Sequence, residues 1–142
     1  MTIKDTILSK NISEKTLQDL EFSTVLQHVS EHCISGLGKE NVREIQPIPI
    51  RKQLFIELHL VNEYLSSFQS ENRVPNHGYD NVTDSVKRLA IENSFIETDA
   101  FLKIAATSIT VNELIKFFKK LKIQFPTFYE LSQKIEFTTY VD

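Results

Sequence analysis

The stretch that decides the fold class runs from Ile50 to Ser70 and reads IRKQLFIELHLVNEYLSSFQS. Its apolar seam recurs at intervals of four and three residues, at Leu54, Leu58, Val61, Leu65 and Phe68. This spacing places the side chains on one face of an α-helix and is typical of helices that pair. We therefore predict a helix over about 50–70 with a buried seam. Aspartate in place of Leu58 or Leu65 should then unfold the protein, because a buried unpaired charge is strongly destabilising.

A second long helix is predicted over about 98–121. Its apolar stripe comprises Phe101, Ala105, Ser108, Val111, Ile115 and Phe118. An antiparallel pair of the two long helices is the expected arrangement. Several short helices should surround them, with Ser13 as one N-cap and Gly36 ending another helix through a positive φ. The predicted fold class is all-α, a multi-helix core in which two long helices pack with several short ones.

Composition agrees with this class and limits the function. The 142 residues include only 3 glycines and 4 prolines, which is few for a chain that must turn between many short strands. The formal net charge of −3 is not that of a stand-alone nucleic-acid binder. A single cysteine excludes an internal disulfide and fits a reducing cytoplasm. With no signal peptide and no membrane-spanning apolar run, we expect a soluble cytoplasmic protein without a membrane partner.

The string His28-Val29-Ser30-Glu31-His32 matches the H-x-x-E-H pattern of inverted zinc peptidases. On a helix the two histidines would share one face, with Glu31 placed to act as a base. Such enzymes also need a distant acidic ligand and a larger body, and histidines beside an apolar helix stripe are ordinary. We therefore predict no metal site.

The string Gly36-Leu37-Gly38-Lys39-Glu40 resembles half of a phosphate-binding loop. A complete loop would need glycine at position 33 and serine or threonine at position 40, whose hydroxyl holds magnesium. Cys33 and Glu40 occupy those positions, and a carboxylate there would repel phosphate. The string is thus predicted to join two helices, and the sequence predicts no catalytic and no cofactor-binding residue.

Residues 103–122 hold the main concentration of basic side chains, where five lysines and one glutamate give a local charge of +4. Lysines can neutralise nucleic-acid phosphates. The alternative is a solvated helix face, whose cations are favoured near the helix C-terminus. The candidate nucleic-acid contacts are Lys116, Lys119, Lys120 and Lys122.

Two groups of residues carry a family resemblance through their order and spacing. The first comprises Leu20-Glu21-Phe22, Val25-Leu26, the junction 35–40 and Pro47. The second comprises Asp80, Val86-Lys87-Arg88-Leu89-Ala90, Ser94-Phe95-Ile96 and Phe101-Leu102. They resemble the N-terminal region of the MutS-II family, bacterial relatives of the mismatch-repair protein MutS, over about residues 13–130. The sequence departs from the family at Ile96, where Leu is common, and at Ala100-Phe101, which replaces Glu-Leu.

Residues 1–12, which lie outside the resemblance, are predicted to be a loosely ordered lead-in. The resemblance implies a helical N-terminal core module at 13–142, truncated before a clamp and an ATPase. In the MutS-II family such a core continues into a coiled clamp, an ABC-type ATPase and often a Smr nuclease domain. The parent would then bind ATP and magnesium and form a homodimer. The partners of this chain would be the remainder of its own chain and, through the parent, DNA or the ribosome. No family catalytic motif maps onto these positions, so no catalytic residue is carried over.

Two hypotheses for function follow. In the first, the chain is a non-catalytic structural module of a MutS-II-type ATPase that acts on DNA, in recombination suppression or mismatch repair, or on collided ribosomes in their rescue. In the second, it is an autonomous helical protein-interaction or dimerisation domain. The chain itself is not an enzyme in either hypothesis, and the choice between DNA and the ribosome stays open at this point.

Overall fold

The computed structural model describes residues 12–139, which form seven helices and no β-sheet. In chain order they are α1 (Glu14–Asp19), α2 (Phe22–Glu31), α3 (Gly36–Arg43), α4 (Arg51–Ser67), α5 (Thr83–Leu89), α6 (Thr98–Lys120) and α7 (Pro126–Ser132). The predicted all-α class is confirmed, and α4 and α6 are the two predicted long helices. No helix in this part of the chain is long and apolar enough to cross a membrane. Apart from Ile12, the predicted lead-in lies outside the described residues.

The chain divides into two compact units, and the boundary between Val61 and Asn62 falls inside α4. In the first unit, α2 packs against both α1 and α3. The predicted cap at the start of α1 is confirmed, because the Ser13 hydroxyl accepts a hydrogen bond from the Thr16 N–H at 3.1 Å. Between α1 and α2 the backbone turns at Glu21, whose φ of 50° is uncommon for a residue with a side chain.

The glycine-containing junction before α3 differs from the prediction. Gly36 is the first residue of α3 and has no positive φ, so it does not end the preceding helix, which stops at Glu31. Ser35 caps α3 instead, because its hydroxyl accepts a hydrogen bond from the Gly38 N–H at 3.0 Å. A Cβ at position 38 would lie 3.1 Å from that hydroxyl, so glycine leaves room for the cap.

Four phenylalanines form the core of the second unit, where α6 meets α7. Phe125 is completely buried, and Phe118 is 6% exposed. The Phe118 and Phe128 rings stack with their centroids 4.8 Å apart. The Phe125 ring lies 5.5 Å from Phe117 and 5.8 Å from Phe118. Aromatic contacts of this kind stabilise a core beyond the area they bury, so the cluster holds α7 on α6.

A buried carboxylate ties the end of α4 to the start of α7. Glu63 is 8% exposed, and its Oε1 accepts a hydrogen bond from the Thr127 N–H at 2.9 Å. Its Oε2 accepts one from the Phe128 N–H at 3.1 Å. These N–H groups lie in the first turn of α7, where no intrahelical acceptor is available. Glu63 therefore caps α7 from a distant part of the sequence and directs this side of α4 inward, together with Ser67, which is 1% exposed.

The apolar seam of α4 faces outward, so the prediction that it forms the core is wrong. Leu58, Val61, Leu65 and Phe68 are between 53% and 56% exposed. Leu65 lies about 160° around the helix from Glu63, because each residue turns an α-helix by about 100°. In the described part of the second unit, α6 packs with α5 and α7 and not along α4. The expected antiparallel pair of long helices is therefore not formed there.

Substitutions at Leu58 and Phe125 should have very different effects on stability. Leu58→Asp alters an exposed position, and we expect it to change the free energy of unfolding by less than about 1 kcal/mol. Phe125→Ala empties a buried site and should cost about 3–5 kcal/mol. Urea denaturation followed by circular dichroism, at low protein concentration, measures both values. An equal loss in the two variants would show that the apolar seam is core after all.

Glu63→Gln should destabilise the protein by about 1–3 kcal/mol, because one N–H of α7 loses its acceptor and the charge at the helix N-terminus disappears. The matched control is Glu57→Gln, which neutralises an exposed carboxylate on the same helix. We expect that control to stay within about 0.5 kcal/mol of the original protein in urea denaturation. If the two glutamine variants unfold at the same urea concentration, Glu63 does not act as the cap.

Candidate nucleic-acid interface

The four candidate lysines lie at the C-terminal end of α6 and in the turn that follows. Lys116, Lys119 and Lys120 are spaced by three and four residues along α6, which places them on one side of the helix. Lys122 belongs to the turn between α6 and α7. All four residues are exposed. Their ammonium groups can therefore meet a ligand without displacing protein.

No carboxylate of the described residues lies within ion-pair distance of these four lysines. The ion pairs in this part of the chain join Lys87 to Asp84 at 4.0 Å and Lys103 to Asp80 at 3.8 Å. The Lys116 ammonium lies 5.1 Å from the centroid of the Phe137 ring, a cation–π contact that leaves its positive charge unneutralised. The end of α6 thus presents several positive charges that no described acidic side chain offsets.

Lys103 contributes to the basic concentration in the sequence but not to this surface. It precedes Lys116 by almost four helical turns, which corresponds to about 20 Å along α6. Its ammonium group is paired with Asp80. The structure therefore brings the four candidates together and separates the fifth lysine of the basic segment from them.

Two buried or half-buried amide side chains position the segments that carry the lysines. Gln124, just after Lys122, accepts a hydrogen bond from the Asn72 side-chain amide at 3.0 Å. Its own amide donates to the Ser70 hydroxyl at 2.9 Å. On α6, the Asn112 amide donates to the Thr138 carbonyl at 2.6 Å, and its oxygen accepts from the Thr138 N–H at 3.0 Å. This second pair of bonds holds the segment that includes Phe137. Amide side chains give no periodic signal, so sequence reasoning missed both positions.

The zinc-like and phosphate-loop-like strings do not bring binding groups together as the end of α6 does. His28 and His32 are exposed, and no group of three or more His, Cys, Asp or Glu residues between 12 and 139 could hold a metal ion. At the start of α3, the Gly38 N–H that a phosphate would need already donates to Ser35.

Comparison with known proteins shows similarity to proteins named Endonuclease MutS2. One, from Alkaliphilus oremlandii, is 23% identical over 133 residues, which cover 92% of this chain and 17% of that protein. Another, from Alkaliphilus metalliredigens, is 26% identical over 113 residues, or 77% of this chain and 14% of that protein. A third, from Caldanaerobacter subterraneus subsp. tengcongensis, is 30% identical over 83 residues, or 58% of this chain and 10% of that protein.

No protein-family model and no solved structure matches the chain. The chain spans only 10–17% of the length of these curated relatives. The similarity confirms the resemblance to the MutS-II family that the sequence motifs indicate, and the chain is a homologue of a small part of the MutS2 proteins.

Proposed function

We propose that the chain is a non-catalytic structural module of a MutS2-type ATPase that acts on DNA, in recombination or mismatch repair, or on collided ribosomes. The observation that carries this proposal is the similarity to MutS2 proteins along most of the chain. In this proposal ATP and magnesium bind elsewhere in the parent protein. The partners of the module are the remainder of the parent chain and, through it, a second parent subunit.

The exposed apolar side chains of the second unit support a role as a packing module. Those on α5 and on the first turns of α6 are between 49% and 58% exposed, at Val86, Leu89, Phe101 and Leu102. Free-standing soluble domains seldom expose many large apolar side chains close together, because this surface favours association. In the proposed function the remainder of the parent covers these side chains.

The lysines at the end of α6 give the module its direct role towards nucleic acid. Four ammonium groups on one short stretch, none of them paired with a carboxylate of residues 12–139, can replace the counterions of neighbouring phosphates. Contacts with phosphates position a protein on the nucleic-acid backbone but do not distinguish one base sequence from another. This fits a parent that grips DNA or ribosomal RNA by its shape and charge.

The second candidate function is an autonomous interaction or dimerisation domain, and the outward apolar seam of α4 favours it. The two candidates make different predictions about the gene. A Walker A motif encoded downstream of Asp142 supports the structural module of an ATPase. A stop codon directly after Asp142 supports the autonomous domain.

Replacing the four lysines together should weaken binding to nucleic acid. We expect the quadruple variant K116Q/K119Q/K120Q/K122Q to bind a fluorescent four-way DNA junction more weakly than the original chain at low salt. The plot of log binding constant against log salt should become shallower by up to about 3.6, because each phosphate contact contributes about 0.9. Fluorescence anisotropy over a salt series measures both quantities, and a duplex RNA of matched length tests the ribosomal alternative.

The control for this experiment removes the same number of charges elsewhere. The variant K15Q/K39Q/K87Q/K103Q changes four exposed lysines outside the candidate surface. Its affinity and salt dependence should stay close to those of the original chain. If both quadruple variants lose the same affinity for the junction, the loss is explained by net charge alone. If the first variant keeps its affinity, these four lysines do not contact the nucleic acid.

A further inference from the structure

We propose that Phe137 and Lys116 together bind one nucleotide of an unpaired nucleic-acid strand, whose base stacks on the ring and whose neighbouring phosphate meets the ammonium group. This inference rests on the proposed function, because it gives the lysine surface at the end of α6 a class of ligand. Single-stranded DNA and unpaired stretches of RNA share the chemistry that this contact would recognise.

The Phe137 side chain lies on the surface of the second unit. It follows α7 and is 39% exposed, whereas Phe118 and Phe125 of the aromatic core are buried. A phenyl ring that is open to solvent can stack on any base, because every base has a π-face. Stacking also removes apolar area of the ring from water, which is favourable. The ring of Phe137 can therefore receive a base without any rearrangement of the core.

A buried amide fixes the segment that carries Phe137. Asn112 is 4% exposed, and its side-chain oxygen accepts a hydrogen bond from the Thr138 N–H at 3.0 Å. Its side-chain nitrogen donates to the Thr138 carbonyl at 2.6 Å. Because a buried amide is unfavourable without partners, these bonds hold the backbone beside Phe137 in one place on α6. Asn112 is therefore a positioning residue for the ring.

The same register brings Lys116 to the ring. Asn112 and Lys116 are four residues apart on α6 and therefore share one side of the helix. While Asn112 holds Thr138, the preceding residue lies one helical turn further along. There the Lys116 ammonium is 5.1 Å from the centroid of the Phe137 ring. An aromatic ring beside a cation matches the two parts of a nucleotide, the flat base and the charged phosphate.

The charge around the ring selects a polyanion as its partner. The other three lysines of the surface follow Lys116 closely in the chain, and none of the four is paired with a carboxylate of residues 12–139. Glu136, next to Phe137, makes no ion pair with them either. A protein segment that covered the ring by apolar contact alone would leave these charges unmatched. A nucleic-acid strand offers a phosphate with every base.

Stacking on Phe137 requires a base that is not enclosed in a duplex. Inside a duplex both faces of a base are covered by its neighbours, and the base must leave the stack before a side chain can reach a face. Phosphates are accessible in duplexes and single strands alike. We therefore expect the lysines to contribute to the binding of both, and Phe137 to contribute only to the binding of unpaired strands.

Fluorescence anisotropy with the full 142-residue chain tests the contact. The probes are an oligothymidylate of about 12 nucleotides, an oligouridylate of the same length and a DNA duplex of the same length. F137A should weaken binding to both single strands by about five- to a hundred-fold and leave duplex binding unchanged. Its salt dependence should not change, because no charge is lost, whereas K116Q should make the salt dependence shallower for all three probes. The matched control F95A removes an 81% exposed phenylalanine outside the surface and should bind like the original chain.

A tryptophan substitution reports stacking directly. The sequence contains no tryptophan, so F137W places a single indole at the contact. We expect its fluorescence to be quenched by oligothymidylate and not by the duplex, while F95W keeps its fluorescence with both. Adding N112A to F137W should reduce the quenching, because the segment is released from α6, while circular dichroism shows the same helix content.

The outcomes separate this contact from the proposed function. If the chain binds no probe at low salt, the lysines have no role towards nucleic acid and the contact fails with them. If the quadruple lysine variant loses affinity and F137A does not, the lysine surface stands and stacking is excluded. Equal losses of F137A on single strands and duplex, or no quenching of F137W, also overturn the contact. A preference for oligothymidylate or oligouridylate supports it and identifies DNA or RNA as the source of the strand.

Discussion

The two hydrogen bonds from the first turn of α7 to the Glu63 carboxylate fix the rotation of α4 in the second unit. Burying a carboxylate is costly unless it finds hydrogen-bond donors and a favourable field. The start of α7 supplies both, because its N–H groups lack intrahelical acceptors and lie at the positive end of a helix dipole. Once this face of α4 is turned inward, the apolar seam on the other face must point outward.

The contact between Glu63 and α7 also positions the aromatic core and, through that core, the segment that carries the candidate lysines. With its first turn held by Glu63, α7 brings Phe128 onto Phe118 of α6, and Phe125 fills the space between the helices. Gln124 adds hydrogen bonds from the turn between these helices to Asn72 and Ser70. The exposed lysines thus sit on a segment held from several sides, which lets their charges act from a defined position.

Sequence periodicity predicted the helices well but not which side of α4 is buried. Spacing identifies a helix and its apolar face, and Phe118 was placed correctly by that rule. The rule assumes that the apolar face is the inward one, and α4 reverses this because Glu63 has a specific partner 64 residues later in the chain. Phe125 lies outside any helix, so no periodic pattern marks it. The pairing of Lys103 with Asp80 likewise depends on tertiary contacts that spacing cannot show.

A helix whose polar side is held inward and whose apolar side is exposed to water lacks the stabilisation that burial of the apolar side chains would give. Any partner that covers the apolar seam binds the folded state and not the unfolded chain, and therefore raises stability in proportion to the logarithm of its concentration. This holds equally for a second copy and for a neighbouring segment of a longer parent. The structural-module and dimerisation hypotheses therefore share one physical requirement, a cover for the seam, and they differ only in the surface that provides it.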